Sequence, residues 1–473
     1  MTSTTGEKSP RQAVVLIHGI GEQRPMETLR GFVSAFLKDG TYHSKPDLLS
    51  DTFELRRLKL RKLVSKDPGK RTNADWPETD FYEYYWAHQM YGTTISHVFS
   101  WLFRVMIQGF GVLRSGDVRV HARLRWLVPL VWLIVVAIAV CLVAFALQAQ
   151  LAAPSNSQVG FGAALLVVLW AFLRPQLLGV FTDFAGDAAR YFDINPRNVM
   201  RRYAIIRGGV EILRKLHTER DEQYGEVMYR YGRVVLLGHS LGSVIAYDIL
   251  KHYWQEVNGK IPVDPAKIVA VEGFCGNNGE PVPDHPSPHH DADRFRRDQH
   301  AAWRDLNRGK PAGEPLPLDP ARNPSHDARW LISDLVTLGS PLTYAPLLMA
   351  KDIADLDAKI KLRELPSCPP DRSHHLNPGH FTVKLSAELE RLADYDILPQ
   401  SAQFATVRWT NFFFKNDPIG GPLGSIFGPG IDDRPLDGPP LRPITAHIGY
   451  WNKTLSGGGE CVGRLESILK NVS

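Results

Sequence analysis

The residues best suited to chemistry are Gly238-His239-Ser240-Leu241-Gly242, a G-x-S-x-G spacing. Small residues on both sides of a serine let a strand turn sharply into a helix and pack closely against it. The serine then stands strained at the apex, where helix N–H groups and the dipole favour negative charge. A serine hydroxyl is a poor nucleophile without a base and without donors for a developing oxyanion. His18-Gly19-Ile20-Gly21 supplies a flexible turn, and the Ile20 and Leu241 N–H groups are the expected oxyanion donors. His447, the last histidine of the chain, is the expected base. The orienting acid is expected at Asp417, with Asp432, Asp433 and Asp437 in a Gly/Pro-rich loop as alternatives. His18 precedes the serine, against the order serine, acid, histidine, and is expected to be structural.

These residues need a scaffold, and the pattern around them predicts one. Residues 13–17 (AVVLI) and 233–237 (RVVLL) are short apolar runs suited to buried parallel strands. Residues 334–338 and 405–409 read as later strands, and 53–60 and 81–86 as earlier ones. Residues 27–38 and 243–254 have helical spacing. Asn195-Pro196 reads as a helix cap followed by proline at the first position, opening a helix to about residue 217. Strands alternating with helices imply an α/β fold with a mostly parallel sheet covered on both faces. Two stretches break the rhythm, 276–325 and 352–397, and are expected to form lid-like insertions over the carboxyl edge of the sheet. Their histidines (His285, His289, His290, His374, His375, His380) lack rigid spacing, so neither a metal nor a cofactor is expected.

The chain has 473 residues, 44% apolar and 22% charged, which suits a globular protein larger than one ordinary domain. A net charge of +5 is too small to point to nucleic acid. The four cysteines (Cys141, Cys275, Cys368, Cys461) form no C-x-x-C pair, so no disulfide framework or zinc site is indicated. Residues 1–12 are polar, which argues against a secretory signal peptide.

Residues 126–147 carry no charge over a length that crosses a bilayer. A weaker apolar run covers 159–181 and is interrupted at Arg174-Pro175. Arginines cluster outside the pair and are absent from the turn between them, which predicts a two-span hairpin with both ends in the cytoplasm. Residues 95–113 fit either an interfacial helix or a core helix. The expected division is therefore 1–92 as the first part of the core, 93–182 as the membrane insertion and 183–473 as the remainder.

The segments VLIHGIG, VVLLGHSLGS, VTLGSPL, the NDPIG around Asp417 and the AHIGYW around His447 resemble the α/β-hydrolase superfamily in its lipase and esterase branch. The resemblance covers about residues 13–88 and 183–469, apart from the insertions. It implies attack by Ser240 on an acyl carbon and an acyl-enzyme that water hydrolyses. In that scheme His447 shuttles the proton and Asp417 orients His447. The expected activity is cleavage of carboxylic esters of lipid or other amphiphilic acyl substrates at the membrane surface. The competing expectations are a non-catalytic membrane scaffold, or a thioesterase, peptidase or acyltransferase using the same triad.

Overall fold

A computed structural model describes residues 11–20, 24–37, 41–47, 49, 55–60, 76–90, 107–109, 111–114, 117, 119, 188, 190–193, 195–223, 226–275, 292–307, 329–372, 377, 379–385, 395–439 and 442–471. The chain opens with β1 (Arg11–Ile17), α1 (Glu27–Phe36), β2 (Tyr42–Pro46), β3 (Arg56–Leu60) and β4 (Thr79–Tyr84). It continues with α2 (Pro196–Thr218), β5 (Arg220–Gln223), β6 (Glu226–Tyr229), β7 (Tyr231–His239), α3 (Leu241–Val257), α4 (Pro265–Glu272) and α5 (Ala292–Leu306). The last third holds β8 (Ile332–Leu338), α6 (Ile353–Lys361), β9 (Val383–Leu385), β10 (Tyr395–Ile397), β11 (Arg408–Phe414) and β12 (Asp432–Leu436). It ends with α7 (Pro443–Ile448) and α8 (Gly458–Lys470).

Eight strands form one sheet in the order β12-β11-β8-β7-β1-β4-β3-β2. The six from β12 to β4 are parallel, and β3 and β2 add an antiparallel edge. Side chains alternate across a strand, so each apolar run feeds two cores. Val15 and Ile17 of β1 and Val234 and Leu236 of β7 enter one core, shared with α2, α3 and α5. Val14, Leu16, Val235 and Leu237 enter the other, shared with α1 and α8. That is why 13–17 and 233–237 read as continuous hydrophobic runs: both faces are covered.

The chain leaves β1 toward one face and β7 toward the other, because α1 and α3 lie in different cores. Adjacent parallel strands with diverging exits open a crevice at the carboxyl edge, the usual ligand position in open α/β sheets. The helix opening at Asn195-Pro196 forms as expected, with the Asn195 side chain accepting the Arg197 N–H.

Three expectations are corrected. The strand expected at 405–409 lies later: Gln403–Ala405 is a 3-10 turn, and β11 begins at Arg408 and continues through the aromatic residues to Phe414. Aromatic residues pack well on a pleated surface, and β11 uses Trp409, Phe412 and Phe414 in this way. The described part of 276–325 does not cover the carboxyl edge. Its helix α5 buries Phe295, Ala302, Trp303 and Leu306, and Arg296 donates to Trp409 O at the amino end of β11. Asp432 and Asp433 are not loop residues but open β12, at the same amino end.

The second insertion divides. Helix α6 is in contact with the turn that follows β8, while Trp254 and Asn258, at the far end of α3, bond to Pro399 O and Leu398 O just past β10. Among the described residues no helix is long and apolar enough to cross a membrane. Both apolar runs, 126–147 and 159–181, lie outside the described residues. So do His285, His289, His290, His374 and His375; His380 is described and faces Glu272 at 3.1 Å. No cluster of metal-ligating side chains occurs among the described residues. Cys368 and Cys461 are buried.

Candidate active site

Strand β7 ends at His239 and α3 begins at Leu241, so Ser240 alone makes the turn. Its backbone sits at φ 52°, ψ −129°, a region that a non-glycine residue occupies only under strain of about 1–3 kcal/mol. The flanking glycines make the turn possible. A Cβ on Gly238 would lie 2.4 Å from Ser243 Cα, and one on Gly242 would lie 2.2 Å from Ile17 O. Either contact is closer than real Cβ atoms allow, so any side chain there would push strand and helix apart.

Three buried side chains from distant parts of the chain meet at this turn. Ser240 Oγ is 2.9 Å from His447 Nε2. His447 Nδ1 is 3.0 and 2.9 Å from the two Asp417 carboxylate oxygens. Since Nδ1–H donates to a carboxylate, the neutral ring turns its Nε2 lone pair toward the serine hydroxyl. Asp417 lies just past the carboxyl end of β11, and His447 lies in the short helix α7 after β12. Both strand ends face the same edge because the strands are parallel.

Asp417 is fully buried. Burial alone would raise its pKa, but His447, the Tyr450 hydroxyl (2.6 Å) and the Ile419 N–H (2.8 Å) together hold it below the usual carboxylate range. The three alternative acids are placed elsewhere. Asp432 pairs with Arg434, Asp433 accepts from Asn411 and from the Leu423 and Gly424 N–H groups, and Asp437 pairs with Lys415 in solvent.

The expected oxyanion donors lie on either side of Ser240. Leu241 is the first residue of α3, so its N–H has no acceptor within the helix. A Cβ on Gly19 would lie 2.9 Å from Ser240 Cβ, so the backbone leaving β1 crosses directly over the serine. Ile20 is the next residue on that crossing.

His18 and His239 support the site without joining the relay. The His18 ring stacks on Trp86 (5.2 Å between centroids, 9°) and its Nδ1 is 2.7 Å from Gly19 O. Complete burial pushes its pKa down to about 4. His239 Nε2 is 2.8 Å from His447 O and so holds the backbone of the base. Burial, followed by the neighbouring His447, pushes its pKa down to about 3.

Two supporting residues were not foreseen. Tyr450 donates to Asp417 and accepts the Phe414 N–H at 3.1 Å, tying the acid to the end of β11. Its place three residues after His447 was the available signal. Ser243 Oγ donates to Ser240 O (2.5 Å) and accepts from the Ser340 hydroxyl (2.7 Å), clamping the elbow to the turn after β8. No family model, curated protein or solved structure matches this chain.

Proposed function

We propose that the chain is a serine hydrolase with an α/β-hydrolase fold that cleaves carboxylic esters of lipid or other amphiphilic acyl substrates. The observation that carries this reading is the unbroken relay from Ser240 Oγ through His447 to Asp417, at 2.9 Å for each of the two links. As the Ser240 oxygen attacks the acyl carbon, its proton passes to His447 Nε2. The Asp417 carboxylate stabilises the imidazolium and fixes its tautomer. The Leu241 and Ile20 N–H groups receive the negative charge on the acyl oxygen. His447 then protonates the leaving alcohol, and water, deprotonated by His447, releases the acid from the acyl-enzyme.

A fluorophosphonate probe tests the nucleophile. The wild-type chain should be labelled on Ser240. Ser240→Ala should lose labelling and about 10⁵-fold or more in ester turnover while keeping its unfolding temperature. Labelling that survives in Ser240→Ala overturns the assignment.

The membrane part of the proposal rests on the apolar runs 126–147 and 159–181 and the arginines outside them. Ser155→Cys should react with an impermeant thiol reagent on intact cells, whereas Ser3→Cys should react only after permeabilisation. The opposite pattern would place the hydrolase domain on the other side of the membrane.

A further inference from the structure

A cavity of about 550 Å³ lies away from the triad, between the amino-terminal half of α2, the middle of α3 and residues 347–351 after β8. That volume suits a small-molecule ligand. Phe192, Ile206, Leu347 and Leu365 give it an apolar wall. Four cations, Arg202, Lys251, Lys351 and Lys359, face two carboxylates, Asp248 and Glu364. His252 also lines the cavity, and burial followed by the nearby Lys251 lowers its pKa.

The acids do not use up the cations. Asp248 accepts the Tyr191 hydroxyl at 2.7 Å, and Lys251 Nζ stands off at 3.7 Å from its other oxygen. Arg202 gives one N–H to Tyr191 O at 2.9 Å, and Lys351 has an exposed side chain while its backbone N–H donates to Asp355 at 2.9 Å. Lys359 is the best satisfied, bonded to Met349 O and 3.3 Å from Asp355. Glu364 is exposed. With Asp355 counted beside Asp248 and Glu364, the surplus is one positive charge beside an apolar wall.

The walls come from the chain on both sides of the apolar runs. Gln108 belongs to the helical residues 107–109, and Val112, in the helical residues 111–114, is buried against Leu347 and Ile353. Tyr191, Phe192 and Arg202 follow the second run.

We infer that this cavity is a second binding site, for an anionic amphiphile: the oxyanion head lies between Arg202 and Lys251, and the apolar body lies along Phe192, Ile206 and Leu347. A charge-assisted hydrogen bond from an arginine fixes an oxyanion in both distance and direction. The preference for an amphiphile over a free anion rests on the membrane reading; the charge and shape of the cavity do not.

The test is equilibrium binding of oleoyl-lysophosphatidate to the full chain carrying Ser240→Ala, in neutral detergent, so that turnover plays no part. Saturable binding of one molecule per chain is expected. Arg202→Gln and Lys251→Gln should each weaken it about 10-fold or more. Lys351→Glu, on an exposed side chain that cannot upset the core, should also weaken it. Monoolein, which lacks the phosphate, and inorganic phosphate, which lacks the chain, should each compete at least about 10-fold less well. Equal affinity in all three variants overturns the site. Equal competition by monoolein overturns head-group recognition, and equal competition by inorganic phosphate overturns the amphiphile. If the chain proves soluble without detergent and the variant pattern persists, the site stands and the membrane reading falls.

Discussion

The parallel sheet has a buried aspartate at each end, and the two are held in different ways. At the carboxyl edge Asp417 bonds to His447, Tyr450 and the Ile419 N–H. At the amino edge Asp334 is gripped by Arg233 at 2.7 Å and Arg408 at 2.8 Å, with Ser333 at 2.6 Å. Burial would raise the pKa of Asp334, but the two guanidinium groups pull it far below the ordinary value. Guanidinium groups cannot give up their protons, so that network is fixed in one state. Imidazole can, so the partner of Asp417 is able to change charge. Both ends bury charge, yet among the described residues only the carboxyl edge combines it with a strained serine and the open N–H groups of a helix start.

The largest expected contrast comes from removing each carboxylate. Asp417→Asn should slow turnover by about 10³–10⁴ with little change in KM, by allowing the wrong histidine tautomer. Asp334→Ala should cost about 3–5 kcal/mol of stability, because the buried Arg233 and the half-buried Arg408 lose their carboxylate. Fluorophosphonate labelling per folded molecule should not change in Asp334→Ala. If Asp334→Ala abolishes labelling below its unfolding temperature, or Asp417→Asn leaves turnover intact, the division of roles between the two ends is wrong.

Acid should weaken both ends together. His18 and His239 lie at the carboxyl edge, and His217 lies where the chain enters β8. Burial pushes their pKa values down to about 4, 3 and 3. The bonding of His217 shows why: Nδ1–H donates to Leu213 O at 2.8 Å, and Nε2 accepts the Leu331 N–H at 3.0 Å. A second proton would set donor against donor. Below the ordinary value of 6.5 the unfolded chain takes up protons that the folded chain refuses. Stability should therefore fall as pH drops below 6.5, by up to ~1.4 kcal/mol per pH unit for each histidine. Chemical denaturation between pH 7 and 4 measures this slope. A flat profile down to pH 4 would mean that these rings are not held neutral, and His217→Gln should flatten the profile in part.

The smallest expected effect sharpens the carboxyl end alone. Tyr450→Phe removes one donor to Asp417 but leaves the ring packed against Phe414. Turnover should fall about 10-fold with KM unchanged, the size expected for one hydrogen bond to a charged group. The pH profile of turnover should shift as well, since Asp417 loses one of the bonds that lower its pKa. An unchanged profile would make Tyr450 a packing residue only.

Much of the candidate site is legible in the sequence. G-x-S-x-G after an apolar run fixes a strand, a turn and a helix, because each step depends on local sterics: Gly238 and Gly242 have no room for a Cβ. The two-core alternation in 13–17 and 233–237 is likewise a local pattern. The order of serine, acid and histidine, together with the strand expected just before it, points to Asp417, with Asp432, Asp433 and Asp437 as alternatives. What only the tertiary structure decided is which aspartate lies at the carboxyl edge. Asp417 and Asp433 are close in sequence and both acidic, but strand β12 begins at Asp432 and points Asp433 toward the opposite edge. Strand boundaries in an aromatic-rich run such as 403–414 depend on what packs over them, and so does the place of α5, whose buried stripe would have suited either end of the sheet. The Arg233–Asp334–Arg408 network belongs wholly to this class, since its members come from three strands and meet only when those strands align.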